Sequence, residues 1–277
     1  MTSHPAPPVI PPAATADPAL AAEPDATATP AVADPAPRPG APVSAELHRE
    51  RRVRSFHPRK GRMSDAQREA LSRLWTAYGI RVDGEQLLDL DTFFGVPGSG
   101  LPEVLEIGFG MGDATATMAA ADPSTGILAV DVHTPGHGNL LRRIESDGLA
   151  NVRLAEGDAV VLLRDQLAPA SLAGLRIYFP DPWPKVRHLK RRLIQPEFLE
   201  LALSRLRPGA TVHCATDWEP YAEQMAEVLG ASPDLENLHP DQDGGYAPRP
   251  DWRPVTKFER QGIAKGHVVH DLLFRRR

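Results

Sequence analysis

Cysteine is almost absent from this chain of 277 residues, and long apolar runs are missing altogether. The single thiol, Cys214, excludes an intrachain disulfide and a thiolate zinc cluster, as is typical of a reducing cytoplasm. We therefore expect a cytoplasmic protein with Cys214 as a small core residue. No segment has the length of a membrane span or the pattern of a signal peptide, so we expect no membrane anchor. The ten histidines lack the spacing of a ligand set, which predicts no metal site.

The chain carries little net charge for its length, −5 at pH 7, but its positive charges are concentrated. Residues 49–62 contain seven Lys or Arg and one Glu, residues 185–192 contain five Lys or Arg, and Arg275–Arg277 adds three. The remainder is therefore acidic. Cations gathered on an acidic body predict a local surface for a polyanion rather than general adhesion.

The N-terminal region differs in composition from the rest. Residues 1–44 contain 13 Ala and 12 Pro and no aromatic residue, so they cannot bury enough apolar surface to offset the entropy of ordering. We expect residues 1–45 to form a disordered tail and residues 46–277 to form one domain.

The basic segment 49–62 has two interpretations. A solvated charge run is the common one. However, Phe56 lies inside the run and Pro58 and Gly61 interrupt it, so a helix face is not expected. Cations with an interleaved aromatic suit phosphate contact and base stacking on RNA. From this segment alone, both interpretations stay open.

Short apolar strands alternate with amphipathic helices along most of the chain. A capping box at Ser64 predicts a helix up to Gly79, and strands are predicted at 104–107, 126–131, 152–156, 175–179 and 210–215, with helices between them. This alternation predicts an α/β fold, a doubly wound Rossmann-like sheet that is mostly parallel. We interpret two later runs, Thr256–Arg260 and His267–Phe274, as an antiparallel pair at the sheet edge.

A glycine-rich turn follows the first strand of the alternating region. Gly108, Gly110 and Gly112 stand between that strand and a helix, and Asp131 ends the next strand, 23 residues after Gly108. In doubly wound sheets this arrangement binds an adenine ribose, because glycines let the backbone approach the ligand and the acid accepts from ribose hydroxyls.

Two cofactors fit this turn, a nicotinamide dinucleotide and S-adenosylmethionine. A dinucleotide needs its pyrophosphate at the helix start, where Asp113 would repel it. S-adenosylmethionine has no phosphate and carries an ammonium and a sulfonium. Acidic residues end four successive strands or their turns: Glu106, Asp131, Asp158 and Asp181. Any one of them could be an ordinary helix cap, but their corresponding positions favour a cationic adenosyl ligand.

The loop Tyr178–Lys185 combines a carboxylate, three prolines and an indole, and the basic run to Arg192 follows it directly. Such a loop suits a polyanion whose base is held against a fixed carboxylate, Asp181. Trp183 has two interpretations: it stacks on a splayed RNA base, or it packs as a core residue beneath the loop.

Together these motifs resemble the bacterial tRNA (guanine-N7-)-methyltransferase family. The resemblance runs from about residue 50 to the C-terminus and rests on Glu106-Ile-Gly-Phe-Gly, Phe179-Pro-Asp-Pro-Trp-Pro-Lys with its basic run, Ala215-Thr-Asp, Thr256-Lys-Phe-Glu and the Arg54-Ser-Phe segment. It implies a class I methyltransferase fold, S-adenosyl-L-methionine as cofactor, tRNA as partner and N7 of guanosine 46 in the tRNA variable loop as target.

The resemblance also implies a role for particular residues, with Asp181 as the catalytic one. The implied cofactor-binding residues are Glu106, Gly108, Gly110, Asp131, Asp158 and Asp181. The implied substrate-binding residues are Lys185, Asp217, Thr256, Lys257, Phe258 and Glu259. The implied RNA-binding residues are Arg187, His188, Leu189, Lys190, Arg191 and Arg192.

Two other classes of protein remain as alternatives. An NAD(P)-dependent dehydrogenase is the second enzyme class that the glycine turn permits. A non-catalytic RNA-binding or assembly factor is the non-enzyme class that the basic segments permit. The sequence does not distinguish a monomer from a homodimer.

Overall fold

The structure, a computed structural model, describes residues 61–95 and 103–277. Its strands are Gly79–Arg81 (β1), Glu103–Ile107 (β2), Gly126–Asp131 (β3), Val152–Glu156 (β4), Leu172–Tyr178 (β5), Leu206–Thr216 (β6), Leu235–Asn237 (β7) and His270–Arg276 (β8). They form one sheet in the order β1-β4-β3-β2-β5-β6-β8-β7. The predicted tail and the basic segment as far as Lys60 lie outside the described residues.

Helices connect the strands and cover the sheet. They are Asp65–Tyr78 (α1), Leu90–Phe94 (α2), Asp113–Ala121 (α3), Thr134–Asp147 (α4), Ala159–Val161 (α5, continued by a π-helical turn over Leu162–Gln166), Pro196–Arg205 (α6), Glu219–Gly230 (α7) and Lys257–Ile263 (α8), with 3₁₀ turns at Val186–Arg191 and Asp243–Gly245. The predicted capping box opens α1: Ser64 and Gln67 each accept from the other's backbone amide, which satisfies two amides that have no partner inside the helix.

The first six strands run parallel to their neighbours, whereas β8 pairs antiparallel with β6 and β7 pairs antiparallel with β8. The predicted α/β sheet, mostly parallel with antiparallel pairing at its C-terminal side, is therefore confirmed. Successive residues of β3 face opposite sides, because Leu128 belongs to one apolar cluster and Ile127 to another. Apolar packing on both faces is why the central strands are continuously hydrophobic.

The C-terminal region differs from the prediction. The run at Thr256 is not a strand but the start of α8, because Thr256 and Glu259 form a capping box there. The spacing T-x-x-E is the sequence signature of that box and indicates the start of a helix. The edge strand is β7, while β8 lies one position inside the edge.

Two predicted helices also have different limits. Between β3 and β4 the sequence predicts a helix from Leu140 to Leu149, but α4 begins six residues earlier, at Thr134, with Pro135 in its first turn, where the missing proline amide costs nothing. Between β4 and β5 the sequence predicts one helix from Ala159 to Leu167, but the structure has a short α-turn followed by a π-turn there. Cys214 is a buried core residue, as predicted.

None of the helices in residues 61–95 and 103–277 combines the length and the apolar character that crossing a membrane requires.

Candidate active site

The carboxyl ends of β4, β3, β2, β5 and β6 share one edge of the sheet, because these neighbours are parallel. The chain passes from β2 outward to β4 on one side and from β5 outward to β6 on the other. Strand order therefore reverses between β2 and β5, and ligands of doubly wound sheets bind in the crevice at such a point. The glycine turn follows β2 and the Asp181 loop follows β5, so the two flank this crevice.

The glycine turn requires glycine for two different reasons. Gly108, Gly110 and Gly112 have φ of 81°, 60° and 78°, a region that costs other residues about 1–2 kcal/mol. A Cβ at Gly108 or Gly110 would meet nothing within 4 Å, whereas a Cβ at Gly112 would lie 2.7 Å from Leu140 Cβ. The first two positions leave the backbone accessible to a ligand, and the third allows helix packing.

Asp131 joins the end of β3 to the glycine turn. Its carboxylate accepts from the amide of Gly110 at 2.8 Å and from the amide of His133 at 2.9 Å. An ionised carboxylate has about four lone-pair sites. Asp131 therefore fixes the turn and retains acceptor capacity for the ribose hydroxyls that its position predicts.

Glu106 is a buried acid in the middle of the sheet. It lies on β2 with 3% of its surface exposed, and its Oε2 has no hydrogen-bond partner in the part of the chain that the structure describes. Burial raises the pKa of Glu106 to about 7, although the charge of Arg176 on β5 and the nearby hydroxyl of Thr115 oppose the rise; neither Oε2 nor the Thr115 hydroxyl makes a hydrogen bond of ordinary geometry among the described residues. Buried polar atoms in native proteins are normally paired. A cationic ligand at this point would provide the missing partner.

Asp158 caps the short helix α5, where its carboxylate accepts from the amide of Val160 at 2.8 Å. This is the helix-cap arrangement that the sequence left open for these acids. Its place after β4 puts it on the same sheet edge as Asp131, and its role toward the cofactor stays a prediction.

The Asp181 loop has a strained backbone at two bulky residues. Phe179 and Trp183 have φ of 50° and 44°, a region in which such side chains are rare and which is concentrated at functional sites. The amide of Phe179 donates to the carbonyl of Ala215 at 2.7 Å, which ties the loop to the end of β6. The half-buried Asp181 lies between the two strained residues.

Trp183 occupies the second of its two predicted positions, packed beneath the loop. It is 8% exposed. The ring of His188 meets it edge-on with centroids 5.8 Å apart, and the Arg191 guanidinium lies 5.0 Å from its centroid. Trp183 therefore anchors the 3₁₀ turn of the basic run to the loop that carries Asp181.

The basic run divides into exposed and buried cations. Lys185, Arg187 and Lys190 are exposed, and Arg191 is half-buried against Trp183. Their charges face solvent at the end of the Asp181 loop. His188 and Leu189 are half-buried within the same turn.

Arg192 differs from the other cations of the basic run because it is buried. It is 5% exposed, and its guanidinium donates to the carbonyls of Pro182 and Pro220 at 2.8 and 3.0 Å and to Gln224 Oε1 at 2.7 Å. It also lies 4.7 Å from the centroid of the Tyr221 ring. With Nε and Nη1 engaged inside the protein, Arg192 fastens the loop to α7, and its contact with RNA stays a prediction.

The predicted substrate-binding residues beyond the loop lie near the carboxyl end of β6 and in α8. Asp217 follows β6 and hydrogen-bonds to Nδ1 of His267 at 2.9 Å. Thr256 caps α8, and Glu259 is buried in its first turn. Lys257 and Phe258 begin α8, and their side chains lie outside the described residues.

A buried polar network next to the loop was missed by sequence reasoning. Tyr178 hydroxyl hydrogen-bonds to His213 at 2.9 Å, and the other ring nitrogen of His213 to Asp271 at 2.7 Å. Arg253 donates to Asp271 and to Glu259. The only signal in the sequence was a polar residue inside each of two apolar strands, His213 in β6 and Asp271 in β8, and that pattern does not identify a partner.

The donors around the crevice fit a cationic adenosyl ligand better than a dinucleotide. Asp113 is at the first position of α3, where a pyrophosphate would need positive potential. Glu106 offers an unpartnered buried oxygen to an ammonium. Within the described ranges, no group of three or more His, Cys, Asp or Glu side chains is arranged to hold a metal ion.

This fold and this set of donors define a class I S-adenosylmethionine-dependent methyltransferase. A family model described as "Putative methyltransferase" matches residues 101–272. The chain is similar to the tRNA (guanine-N(7)-)-methyltransferases of Streptomyces avermitilis (66% identity over 232 residues, 84% of this chain and 78% of that protein) and Streptomyces coelicolor (65% over 232 residues, 84% of each). It is also similar to that of Burkholderia cenocepacia (53% over 238 residues, 86% and 90%).

The chain belongs to the tRNA (guanine-N(7)-)-methyltransferase family. It is a methyltransferase, and its cofactor is S-adenosylmethionine. The predicted family and cofactor are therefore confirmed, and the dehydrogenase alternative is not supported.

Proposed function

We propose that this enzyme methylates N7 of guanosine 46 in the variable loop of tRNA. The observation that carries the proposal is the position of the Asp181 loop. It flanks the cofactor crevice through β5 and continues directly into the exposed cations Lys185, Arg187 and Lys190. One short segment thus joins a carboxylate for a base to charges for a phosphate backbone.

Methylation at N7 does not require the protein to transfer a proton. Guanine N7 has an unshared lone pair and no proton, and it lies on the Hoogsteen edge of the base. When bound, S-adenosylmethionine supplies a methyl group on a positively charged sulfur. No general base is needed, so the residues of the site act mainly by holding the base in line.

We assign to Asp181 the binding of the guanine base. A carboxylate only accepts, which matches the N1–H and the amino group on the guanine edge remote from N7. Asp181 would also offset the positive charge that develops on the purine. Adenine lacks this pair of donors, so the same residue would select guanine.

Glu106 and Asp131 are the residues to which we assign the cofactor. The unpartnered oxygen of Glu106 would accept from the ammonium, and Asp131 would accept from the ribose hydroxyls beside the open backbone of Gly108 and Gly110. Asp158, which follows β4, would accept a hydrogen bond from the adenine part of the cofactor.

The tRNA would lie across the exposed cations of the basic run. Lys185, Arg187 and Lys190 would contact phosphates, and their contribution would weaken with salt. We also assign the basic segment 49–62 to RNA contact. Gly61, near the end of this segment, supports the assignment because it lies against the start of α4, shortly after Asp131. A Cβ on Gly61 would lie 2.8 Å from Pro135 and 2.9 Å from His133. We expect the enzyme to act in the cytoplasm, as a monomer or a homodimer.

The test is transfer of labelled methyl to tRNA that lacks 7-methylguanosine. Chemical cleavage at the modified base should map the product to position 46 and give no cleavage in tRNA with adenosine there. Methyl incorporation at another position would overturn the assignment of the target. RNA binding without any incorporation would contradict the proposal.

A further inference from the structure

Arg253 has no role in the proposed function so far, yet it is the largest side chain that the described part of the chain buries completely. Its guanidinium makes two bidentate ion pairs. Nε and Nη2 donate to Asp271 at 2.7 and 2.8 Å, and Nη1 and Nη2 donate to Glu259 at 2.8 and 3.0 Å. Such paired hydrogen bonds fix both the distance and the plane of the partners.

These partners come from separate parts of the chain. Asp271 is on β8 and Glu259 is in the first turn of α8. Asp271 also hydrogen-bonds to His213 of β6, which in turn hydrogen-bonds to Tyr178, the last residue of β5. We call these five residues the Arg253 network. It connects the strand that delivers the Asp181 loop to the helix that carries the predicted substrate residues.

The Arg253 network also reaches the loop itself. The guanidinium carbon lies 5.7 Å from the centroid of the Phe179 ring and 5.9 Å from that of Tyr178, within the range of a cation–π contact. Phe179 is the strained residue with φ of 50°, two positions before Asp181. A strained conformation persists only where its surroundings fix it, and the buried charge of Arg253 is part of those surroundings.

Stability alone does not explain this arrangement. Burial disfavours each charge, and a buried ion pair is often no more stable than apolar residues of the same volume. Burial alone would raise the pKa of Asp271, but hydrogen bonds from His213 and Arg253 lower it overall. What two bidentate pairs supply beyond stability is a defined geometry between elements that are distant in sequence.

We propose that Arg253 is a positioning residue for methyl transfer, which holds the Asp181 loop and α8 in fixed register around the guanine. This inference rests on the proposed function for its substrate. Arg253 does not touch the reacting atoms; it acts through Phe179 on one side and Glu259 on the other. The residues to which we assign the cofactor, Glu106, Asp131 and Asp158, are outside the network, so cofactor binding should depend on it only weakly, through the Asp181 loop.

The test compares Arg253→Lys with Arg153→Lys. Lysine keeps the charge but has no planar fork, so it cannot make two bidentate pairs. Arg153 is a matched control, since it is also a buried arginine near aromatic rings, but its donors engage the carbonyls of Phe93, Phe94, Ala150 and Val152 instead. The measurements are kcat and KM for tRNA, S-adenosylhomocysteine affinity, and hydrogen exchange of the backbone amides.

For folded Arg253→Lys we expect kcat to fall roughly 100-fold, the usual effect of a displacement of about 1 Å at a reacting group. S-adenosylhomocysteine affinity should stay within about threefold, while the amides of Asp181, Trp183 and Lys185 and those of residues 257–263 exchange faster than in Arg153→Lys. Unchanged kcat and exchange, or changes equal to those of Arg153→Lys, would overturn the inference.

A second variant keeps the inference testable if Arg253→Lys does not fold. Asp271→Asn leaves the pair between Arg253 and Glu259 in place, and we expect a smaller loss of kcat with the same pattern of exchange. Wild-type kcat in folded Asp271→Asn would count against the network. Should wild-type enzyme form no 7-methylguanosine, the proposed function fails, whereas the exchange data still decide whether Arg253 holds the loop and α8.

Discussion

The two sides of the crevice are built in different ways. The cofactor half, formed by β2, β3 and β4 with the glycine turn, depends on backbone geometry and on contacts close to the strand ends. Asp131 fixes Gly110 directly, and Glu106 is left with an unpartnered oxygen among the described residues. The substrate half, formed by β5, β6, β8 and α8, depends on side chains far apart in sequence, with Arg253 and Arg192 hydrogen-bonded inside the protein.

In the proposed function, the difference follows from what each half has to hold. A small cationic cofactor can itself complete an incomplete set of donors, so the cofactor half can leave Glu106 buried without a partner. The substrate half has to present a loop rich in proline, with two strained residues, to a large RNA. The polar groups of the Arg253 network are already paired, so the loop is held before the RNA arrives.

The largest effect should come from the substrate half, at Asp181. For Asp181→Ala we expect kcat to fall about 10²–10³-fold, because the acceptor for the guanine edge and the compensating charge are both lost. Binding of tRNA should be unchanged in a gel-shift or fluorescence titration. Asp241→Ala, at an exposed loop carboxylate, is the control. Near-normal methyl transfer by Asp181→Ala would remove Asp181 from the mechanism.

Glu106 tests the cofactor half through pH. Its pKa is raised from 4.5 to about 7 by burial. Between these two pH values the carboxyl group is therefore protonated in the folded state and ionised in the unfolded chain. This group therefore favours folding below pH 4.5, and that contribution is lost as the pH rises through 7, by about 3 kcal/mol in all.

Glu106→Gln should abolish this pH dependence. Urea unfolding between pH 5 and 8 should show wild-type stability falling more steeply than that of the variant. At pH 8 the variant should bind S-adenosylhomocysteine roughly tenfold more weakly, as expected for a lost charge-assisted hydrogen bond. Parallel stability curves for the two proteins would contradict the assignment.

Within the basic run, the exposed cations should contribute to tRNA binding, whereas the buried Arg192 should contribute to stability. Replacing Lys185, Arg187 and Lys190 by alanine should weaken tRNA binding and lower the slope of log K against log salt by up to about 2–3, since each phosphate contact contributes about 0.7–0.9. Stability should change little, because all three are exposed. Filter binding at several salt concentrations measures the slope.

Arg192→Met is the counterpart of that triple variant. It should lower the free energy of unfolding by about 2 kcal/mol, the order expected for lost hydrogen bonds of a charged group. The salt slope for tRNA should stay at its wild-type value. A slope reduced by about one with unchanged stability would restore Arg192 to the RNA contacts.

The smallest effect should come from Gly110. Gly110→Ala and Gly148→Ala place a Cβ at similar φ, 60° and 66°, in open space, so each should cost about 1 kcal/mol of stability. Of these two glycines, Gly110 borders the crevice and Gly148 does not. We expect S-adenosylhomocysteine affinity, measured by calorimetry, to fall roughly tenfold in Gly110→Ala alone. Equal affinities in the two variants would argue against ligand approach at this turn.

How much could be predicted from the sequence differs between the halves. The cofactor half was readable because its residues follow a strand, a turn and a helix at fixed spacing, and β2 and β3 lie where predicted. In the substrate half the Asp181 loop was readable, but α8 was taken for a strand. The capping box between Thr256 and Glu259 starts a helix there instead.

The sequence by itself determined the doubly wound sheet, the family and the order of acids along one sheet edge, because each depends on spacing within some 25 residues or on a contiguous motif. Only the tertiary structure decided which cations are available. Arg192 and Lys190 look alike in the sequence, yet Arg192 is buried against α7 and Lys190 is exposed. The same holds for Arg253, whose partners lie on other elements, because burial and pairing depend on which elements pack together.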